Sequence, residues 1–290
     1  MYIPDCEEFR KGYKEFERQE PRDAMYKVAT FLVNYFWDKP SKSTDRLGIA
    51  DGLGVLLLTW NNAFYRYGPF DFEKLEKCII DNLPKIEEFR SRPISTLSSS
   101  DNDSIKQLFI EFLSALQIDI IRFSDKNTKK YAQKQLTDLL LKLGVKYRTN
   151  GNLRSLYDSI KDDQKIKDAL EFIDEKRSNS KKSYVVIKIS KLTDRQQKIV
   201  ESSKLIMRSP VAVAKALHLL APEFFPPWDN KIARKGYQCN YAKNPAEKYL
   251  TFCQKMKTME SKIKNCADKP SKLIKLIDEY NYSKYTQGWI

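Results

Sequence analysis

Two side chains in the last third of the sequence could do chemistry together: the carboxylate of Asp229 and the amine of Lys215, which lies fourteen residues before it. A fixed carboxylate stabilises a positive charge that develops during bond cleavage, or it polarises an attacking water molecule. A neutral lysine amine is a nucleophile that forms a Schiff base with a carbonyl carbon. The alternative role of Asp229 is structural, because aspartate is among the residues most often found at the N-cap of a helix.

The segment around these residues predicts a helix, a stiff apolar turn and a second helix. Ser209 can accept a hydrogen bond from an amide of the first turn, and Pro210 occupies a position where its missing N–H has no cost. The first helix should end near Ala221, because the proline that follows disfavours helical geometry in the residue before it. A pair of prolines at 226–227 then predicts an extended connector, after which Asp229 caps the second helix.

Over residues 198–236, the order of Lys215, apolar helix, turn and Asp229 resembles the helix-hairpin-helix DNA glycosylases. In that superfamily an essential aspartate caps the helix after the hairpin, and a lysine, when present, lies early in the second hairpin helix. The resemblance implies that Asp229 is the catalytic carboxylate and that Lys215 is the candidate amine nucleophile. It also implies that the hairpin contacts DNA through Arg208 and Ser209, which stand where the family usually has a glycine-rich sequence.

The resemblance implies a DNA glycosylase that flips a modified base out of double-stranded DNA and leaves an abasic site. The bacterial anti-phage type, which removes glucosylated hydroxymethylcytosine, is the first relative that the sequence resembles, and archaeal enzymes for 8-oxoguanine are the second. We expect a monomer that needs no cofactor and no metal ion for this cleavage. Three alternatives remain: a DNA- or RNA-binding module without catalysis, a metal-dependent nuclease, and a structural subunit of a defence complex.

The net charge of +14 is concentrated in the last third of the chain. Residues 181–290 carry 22 Lys+Arg against 9 Asp+Glu, whereas residues 1–180 carry 30 against 29. Such asymmetry predicts a surface for a polyanion, because each lysine placed near a phosphate releases condensed counterions. We expect phosphate contacts from Lys231, Arg234 and Lys235, which lie on the helix that the catalytic candidate caps. The alternative is a basic face that is only solvated.

A second group of residues has the composition of a pocket for a flipped base. The segment 53–67 is apolar on nearly every side at first and then aromatic and amide-rich, which predicts a buried central helix. Aromatic faces stack on a base, and asparagine both donates to and accepts from its polar edge. The candidate substrate-binding residues are Trp60, Asn61, Asn62, Tyr65, Trp228 and His218. The alternative is that aromatic side chains at helical spacing belong to the core.

Hydrophobic periodicity predicts an all-α fold, mainly helical, with room for one short strand pair. The predicted helices cover residues 6–18, 22–37, 53–67, 72–82, 83–90, 105–123, 131–143, 153–175, 195–207, 245–265 and 272–280. A β-branched run at 184–189 is the one predicted strand, and the polar stretch 91–104 predicts a linker or a mobile loop. We expect two helical subdomains with a cleft between them. Residues 1–180 would contribute the base pocket, and residues 181–290 the catalytic and DNA-binding part, with the aromatic tail 282–290 packed onto the body.

The residue inventory excludes several classes of site. His218 is the only histidine, so histidine-metal clusters and nucleophile–histidine triads are excluded. Five cysteines without a C-x-x-C pair signal neither a zinc site nor a disulfide framework, and they favour a reducing cytoplasm. The sequence has no phosphate-binding glycine motif, no targeting segment and no apolar stretch of about 20 residues. We therefore expect a soluble cytoplasmic protein that does not contact a membrane.

Overall fold

Helices dominate the described part of the chain, which confirms the all-α prediction. The computed structural model describes residues 1–19, 23–37, 48–60, 70–121, 204–240, 243–268 and 272–290. Its α-helices are α1 (Cys6–Gln19), α2 (Asp23–Trp37), α3 (Gly48–Trp60), α4 (Phe72–Asp81), α5 (Leu83–Arg90), α6 (Asn102–Ala115), α7 (Pro210–Leu220), α8 (Pro245–Ile263) and α9 (Leu273–Asn281). Short 3₁₀ or π-helical turns lie at Ile94–Thr96, Ser99–Asp101, Ile232–Gly236, Lys264–Cys266 and Tyr282–Gln287. None of the described helices is long and apolar enough to cross a bilayer.

The structure contains a two-stranded antiparallel ribbon, and each of its strands lies in a segment that the sequence predicts to be helical. β1 (Ile118–Ile121) pairs with β2 (Lys204–Met207). The helix predictions for 105–123 and 195–207 are therefore wrong over these two strands. Each strand has only four residues, too few for periodicity to distinguish helix from strand. Each strand finds its partner only through tertiary contact. The expected helical first arm of the hairpin thus ends in a strand, while the predicted strand at 184–189 lies outside the described residues.

Helices α3, α7 and α9 are the most deeply buried helices, and α3 packs against α7. In α3 the side chains of Leu53, Leu56 and Leu57 are fully buried, as predicted for a central helix. Helix α7 is buried along most of its length, because its sequence is apolar on most faces. Helix α9 is also mostly buried, although it carries the buried polar side chains Lys275, Glu279 and Asn281. Buried side chains from both predicted domains form one core cluster. The predicted domain boundary near residue 180 lies outside the described residues.

The two ends of the described chain pack against each other. Helix α1 lies along α9, and a disulfide joins Cys6 to Cys266. The expectation of no disulfide is therefore wrong, because only tertiary packing brings together two cysteines that are 260 residues apart. The tail packs onto the body as predicted, with the Tyr282 ring meeting the Phe16 ring edge-to-face at a centroid distance of 5.5 Å.

Residues 91–104 form short helical turns rather than the predicted linker or mobile loop. The Ser98 N–H donates to Asp101 Oδ2 (2.7 Å), and the two residues form a capping box. Arg92 pairs with the same carboxylate. The polar side chains that predicted a loop make the local hydrogen bonds of the 3₁₀ turn Ser99–Asp101, which precedes helix α6.

Candidate active site

Helix α7, which carries Lys215 and His218, begins and ends where the sequence predicts. The Ala212 N–H donates to Ser209 Oγ (3.2 Å), and a proline occupies the next position. Ser209 is buried, so its side chain serves the helix as an N-cap and the DNA contact predicted for it is not available. Arg208 is exposed, with its Nε 3.3 Å from Gln117 Oε1.

Side chains from two helices hold the turn that leads from α7 to Asp229. The Phe225 carbonyl accepts a hydrogen bond from His218 Nδ1 (2.8 Å). The Pro226 carbonyl accepts another from the Tyr249 hydroxyl (3.0 Å), which belongs to α8. Because both bonds fix the backbone just before Asp229, the aspartate is delivered from a rigid connector, as the two prolines predict.

His218 has a structural role and does not face a substrate. Its side chain is fully buried, and a carbonyl can only accept, so Nδ1 carries the proton that it donates to Phe225. Nε2 then accepts from the Tyr26 hydroxyl at 2.8 Å. Burial lowers the pKa of His218 to about 3. The prediction that His218 contacts the substrate is therefore wrong, because the ring is neutral, enclosed and fully hydrogen-bonded.

Trp228 also belongs to the core, although it adjoins Asp229 in the sequence. Its side chain is 1% exposed, and its Nε1–H donates to the Pro210 carbonyl at 3.1 Å. Its rings pack edge-to-face against Tyr249, with centroids 5.1 Å apart. The substrate contact predicted for Trp228 is wrong in this structure, since no stacking face is exposed. The residue instead ties the end of the turn to the beginning of α7.

The Asp229 carboxylate is held through both of its oxygens. Oδ1 accepts the Ile232 N–H at 2.7 Å, which confirms the predicted N-cap. Oδ2 accepts the Thr286 hydroxyl at 2.8 Å. A carboxylate offers about four lone-pair sites, so roughly two remain for a substrate or a water molecule. Asp229 is partly exposed, which leaves these sites accessible. Sequence reasoning missed Thr286, because it lies 57 residues away in the tail.

Asp229 shares its surroundings with a group of charged side chains from α7 and α9. Burial raises the pKa of Asp278 to about 6. The negative charge of Asp229 adds to this rise, and the positive charges of Lys275 and Lys215 oppose it. Asp278 Oδ2 lies 3.7 Å from Lys275 Nζ, and both side chains are largely buried. Lys215, by contrast, is half-buried. The structure therefore brings the two predicted catalytic residues into one electrostatic neighbourhood and adds Asp278, which no motif in the sequence marks.

The three basic residues predicted to contact phosphate lie at the surface of the turn that Asp229 caps. Lys231, Arg234 and Lys235 are exposed, and the last two belong to the π-helical turn Ile232–Gly236. Lys231 Nζ donates to the Thr286 carbonyl at 2.9 Å. The arrangement places positive charge immediately beside the carboxylate.

Much of the predicted base pocket cannot be placed. Asn61, Asn62 and Tyr65 lie outside the described residues, and Trp60 is the last residue of α3. The pocket therefore stays a prediction. Within the ranges that the structure describes, no group of three or more His, Cys, Asp or Glu side chains is placed to hold a metal ion.

Comparison with known proteins identifies no relative. No known protein family, no characterised protein and no solved structure matches this chain. A functional assignment therefore depends on the geometry and charge around Asp229, together with the family resemblance of residues 198–236.

Proposed function

We propose that the protein is a DNA glycosylase that uses Asp229 to excise a modified base from double-stranded DNA. The observation that carries the proposal is a partly exposed carboxylate, held through both oxygens at the start of a basic π-helical turn. π-Helical turns are rare in proteins, and many of those that occur lie at functional sites. As a base departs, the sugar becomes oxocarbenium-like, and a fixed carboxylate beside it stabilises that charge.

The basic surface beside Asp229 supports DNA as the partner. Lys231, Arg234 and Lys235 can contact phosphates on either side of a nucleotide whose sugar approaches the carboxylate. The excised base, by the resemblance, is glucosylated hydroxymethylcytosine of phage DNA or an oxidised purine. We propose that the protein acts as a monomer, in phage defence or in repair.

Lys215 decides between two forms of the reaction. A bifunctional enzyme would attack the sugar with the lysine amine and cleave the strand through a Schiff base, whereas a monofunctional enzyme leaves an intact abasic site. We propose the monofunctional form, because Asp229 is partly exposed and held through both oxygens, so it can polarise a water molecule beside the sugar without the Lys215 amine. Borohydride should then trap no covalent protein–DNA adduct. An adduct that Lys215→Ala abolishes would establish the bifunctional form instead.

The decisive experiment is Asp229→Asn, assayed in EDTA on duplexes that carry glucosylated hydroxymethylcytosine, 8-oxoguanine or unmodified bases. Asparagine is as good an N-cap as aspartate, so the variant should retain its Tm and its DNA affinity. Base excision should fall by about a hundredfold or more, because the charge that stabilises the developing cation is lost. Abasic sites are measured by alkaline strand cleavage.

Asp71→Asn is the matched control. Asp71 caps α4 by accepting the Glu73 N–H at 3.0 Å, so the same exchange is made at another N-cap aspartate. This variant should excise bases at the wild-type rate. Excision that persists in Asp229→Asn would contradict the proposal, and cleavage that EDTA abolishes would indicate a metal-dependent nuclease.

A non-catalytic DNA-binding module is the second candidate function. The strand β2 (Lys204–Met207), which stands where the resemblance predicts the end of a helical arm, favours it. This candidate predicts salt-sensitive DNA binding by the wild type with no abasic product from any of the duplexes.

A further inference from the structure

We infer that Thr286, in the C-terminal segment, is a positioning residue that orients the Asp229 carboxylate; the catalytic part of this inference rests on the function proposed above. The Thr286 hydroxyl donates to Asp229 Oδ2 at 2.8 Å, across 57 residues of sequence. No other donor to that oxygen occurs among the hydrogen bonds of the described residues. The segment 282–287 thus completes the site.

The hydroxyl has a distinct effect because the two donors to Asp229 come from different elements. The Ile232 N–H is part of the capped turn and holds Oδ1, as in an ordinary N-cap. With that bond alone, the carboxylate could still rotate about the bond to its β-carbon. The Thr286 hydroxyl fixes the second oxygen and hence the plane of the group. Electrostatic catalysis depends on such fixed orientation, because the charge must already point at the developing cation.

The backbone carbonyl of Thr286 and the side chain of its neighbour Tyr285 both contact the segment that follows Asp229. Its carbonyl accepts from Lys231 Nζ at 2.9 Å, so the backbone of the tail is bonded to the basic turn. Tyr285 packs against Gly236, where an added Cβ would lie 2.6 Å from a ring carbon. A larger residue at 236 would therefore displace the Tyr285 ring.

The segment is also anchored to the N-terminal helix α1. The Ser283 hydroxyl donates to the Gly12 carbonyl at 2.8 Å, and both groups are buried. Gly288 ends the π-helical turn with a φ of 70°, a left-handed geometry that glycine adopts without strain. A Thr286 hydroxyl on so constrained a segment has little freedom to leave Asp229.

The first arm of the test compares Thr286→Val with Thr286→Ser on the duplex that the wild type excises. Valine keeps the shape of threonine but cannot donate, so kcat should fall roughly 10- to 100-fold while KM stays near the wild-type value. Serine keeps the hydroxyl and should restore most of kcat. Rescue by serine separates the hydrogen bond from packing. Thr258→Val, on the exposed face of α8, is the matched control and should leave kcat unchanged.

The second arm does not require activity. Thermal unfolding is measured for Asp229→Ala, for Thr286→Val and for the double variant. If the two side chains share a hydrogen bond, the Tm loss of the double variant is smaller than the sum of the single losses. Tm losses that simply add would overturn the inference. It would also be overturned if Asp229→Asn is inactive while Thr286→Val keeps the wild-type kcat. Sub-additive losses in a protein that excises no base would instead support the contact and reject the proposed function.

Discussion

The His218 imidazole links the core to the turn that carries Asp229. Its Nδ1–H donates to the Phe225 carbonyl and its Nε2 accepts from the Tyr26 hydroxyl, which is the pattern of a neutral ring. Burial lowers the pKa of His218 to about 3, the bond to Phe225 opposes that shift, and the charge of Lys275 adds to it. The only histidine of the chain thus acts as a neutral hydrogen-bonding bridge.

His218 therefore makes the folded state sensitive to acid. The unfolded histidine, with a pKa near 6.5, takes up a proton before the folded one, so stability falls as pH drops from about 6.5 toward 3. His218→Gln cannot titrate, and its Tm should be lower than wild type at pH 7. The difference in the free energy of unfolding between wild type and His218→Gln should shrink by roughly 3 kcal/mol between pH 7 and pH 4. Scanning calorimetry across this range measures it.

Two carboxyl groups act in the opposite direction. Burial raises the pKa of Asp278 to about 6 and that of Glu223 to about 7. Because these folded values lie above the unfolded ones, both groups favour the folded state increasingly as pH falls through them. Both are present in wild type and in His218→Gln, so their contribution cancels in the comparison. A stability difference between wild type and His218→Gln that grows as pH falls would contradict the assignment of a neutral His218.

At the scale of elements, the C-terminal segment connects the first helix to the candidate site. Helix α1 packs along α9, and Lys284 pairs with Glu8 beyond the end of α9. The disulfide between Cys6 and Cys266 fastens the start of α1 to the turn after α8. Loosening α1 should therefore disturb the tail that holds Asp229.

The disulfide predicts a redox dependence of stability. A cross-link that closes so long a loop stabilises the folded state by about 2–4 kcal/mol, chiefly by restricting the unfolded chain. Reductant should lower the Tm of the wild-type protein, and Cys6→Ser should lower it by a similar amount and remove the response to reductant. Differential scanning fluorimetry with and without dithiothreitol measures both effects.

Thiol counting gives an independent readout. Titration of the unfolded, unreduced protein should find the three free thiols of Cys78, Cys239 and Cys253. Five reactive thiols in protein purified without reductant, together with an unchanged Tm, would contradict the cross-link. The double variant Cys6→Ser/Cys266→Ser should be no less stable than either single variant, because each removes the same bond.

At the scale of the molecule, charge is divided unequally between the two parts of the chain. Residues 181–290 hold 22 basic and 9 acidic side chains. Most of the basic residues that the structure describes in this part of the chain are exposed. Lys275 of α9 is an exception, because it is buried with its Nζ over the rings of Phe16 and Tyr26. Most of the basic side chains that the structure describes in this part of the chain are therefore at the surface, and Lys231, Arg234 and Lys235 lie beside Asp229.

We predict that DNA affinity falls steeply with salt. Each phosphate that a lysine or arginine neutralises contributes about 0.9 to the slope of log K against log salt concentration. Replacing Lys231, Arg234 and Lys235 by glutamine should reduce that slope by roughly 2 to 3. Fluorescence anisotropy from low to physiological ionic strength measures the slope. The same change at the exposed residues Lys11, Lys74 and Lys77 is the control and should leave it nearly unchanged. A flat response in wild type would exclude an electrostatic DNA surface.

The sequence by itself determined the capped helix starts and the N-cap position of Asp229. Caps at Asp71, Ser209 and Asp229 bond to amides two or three residues onward, so the residues that encode each cap also form it. Proline fixes its own φ, which made the rigid connector at 226–227 predictable. Apolar periodicity over ten or more residues likewise identified the long helices, because helical spacing is a local property.

Only the tertiary structure decided what surrounds these elements. His218 bonds to Tyr26 across 192 residues, Thr286 to Asp229 across 57, and Cys6 to Cys266 across 260. Burial made His218 and Trp228 structural, although their types suit a substrate pocket equally well. The short run that became β2 needed a distant partner strand to choose its conformation. Local sequence sets backbone geometry, whereas burial and long-range partners depend on how all the elements pack, and no spacing in the sequence encodes that packing.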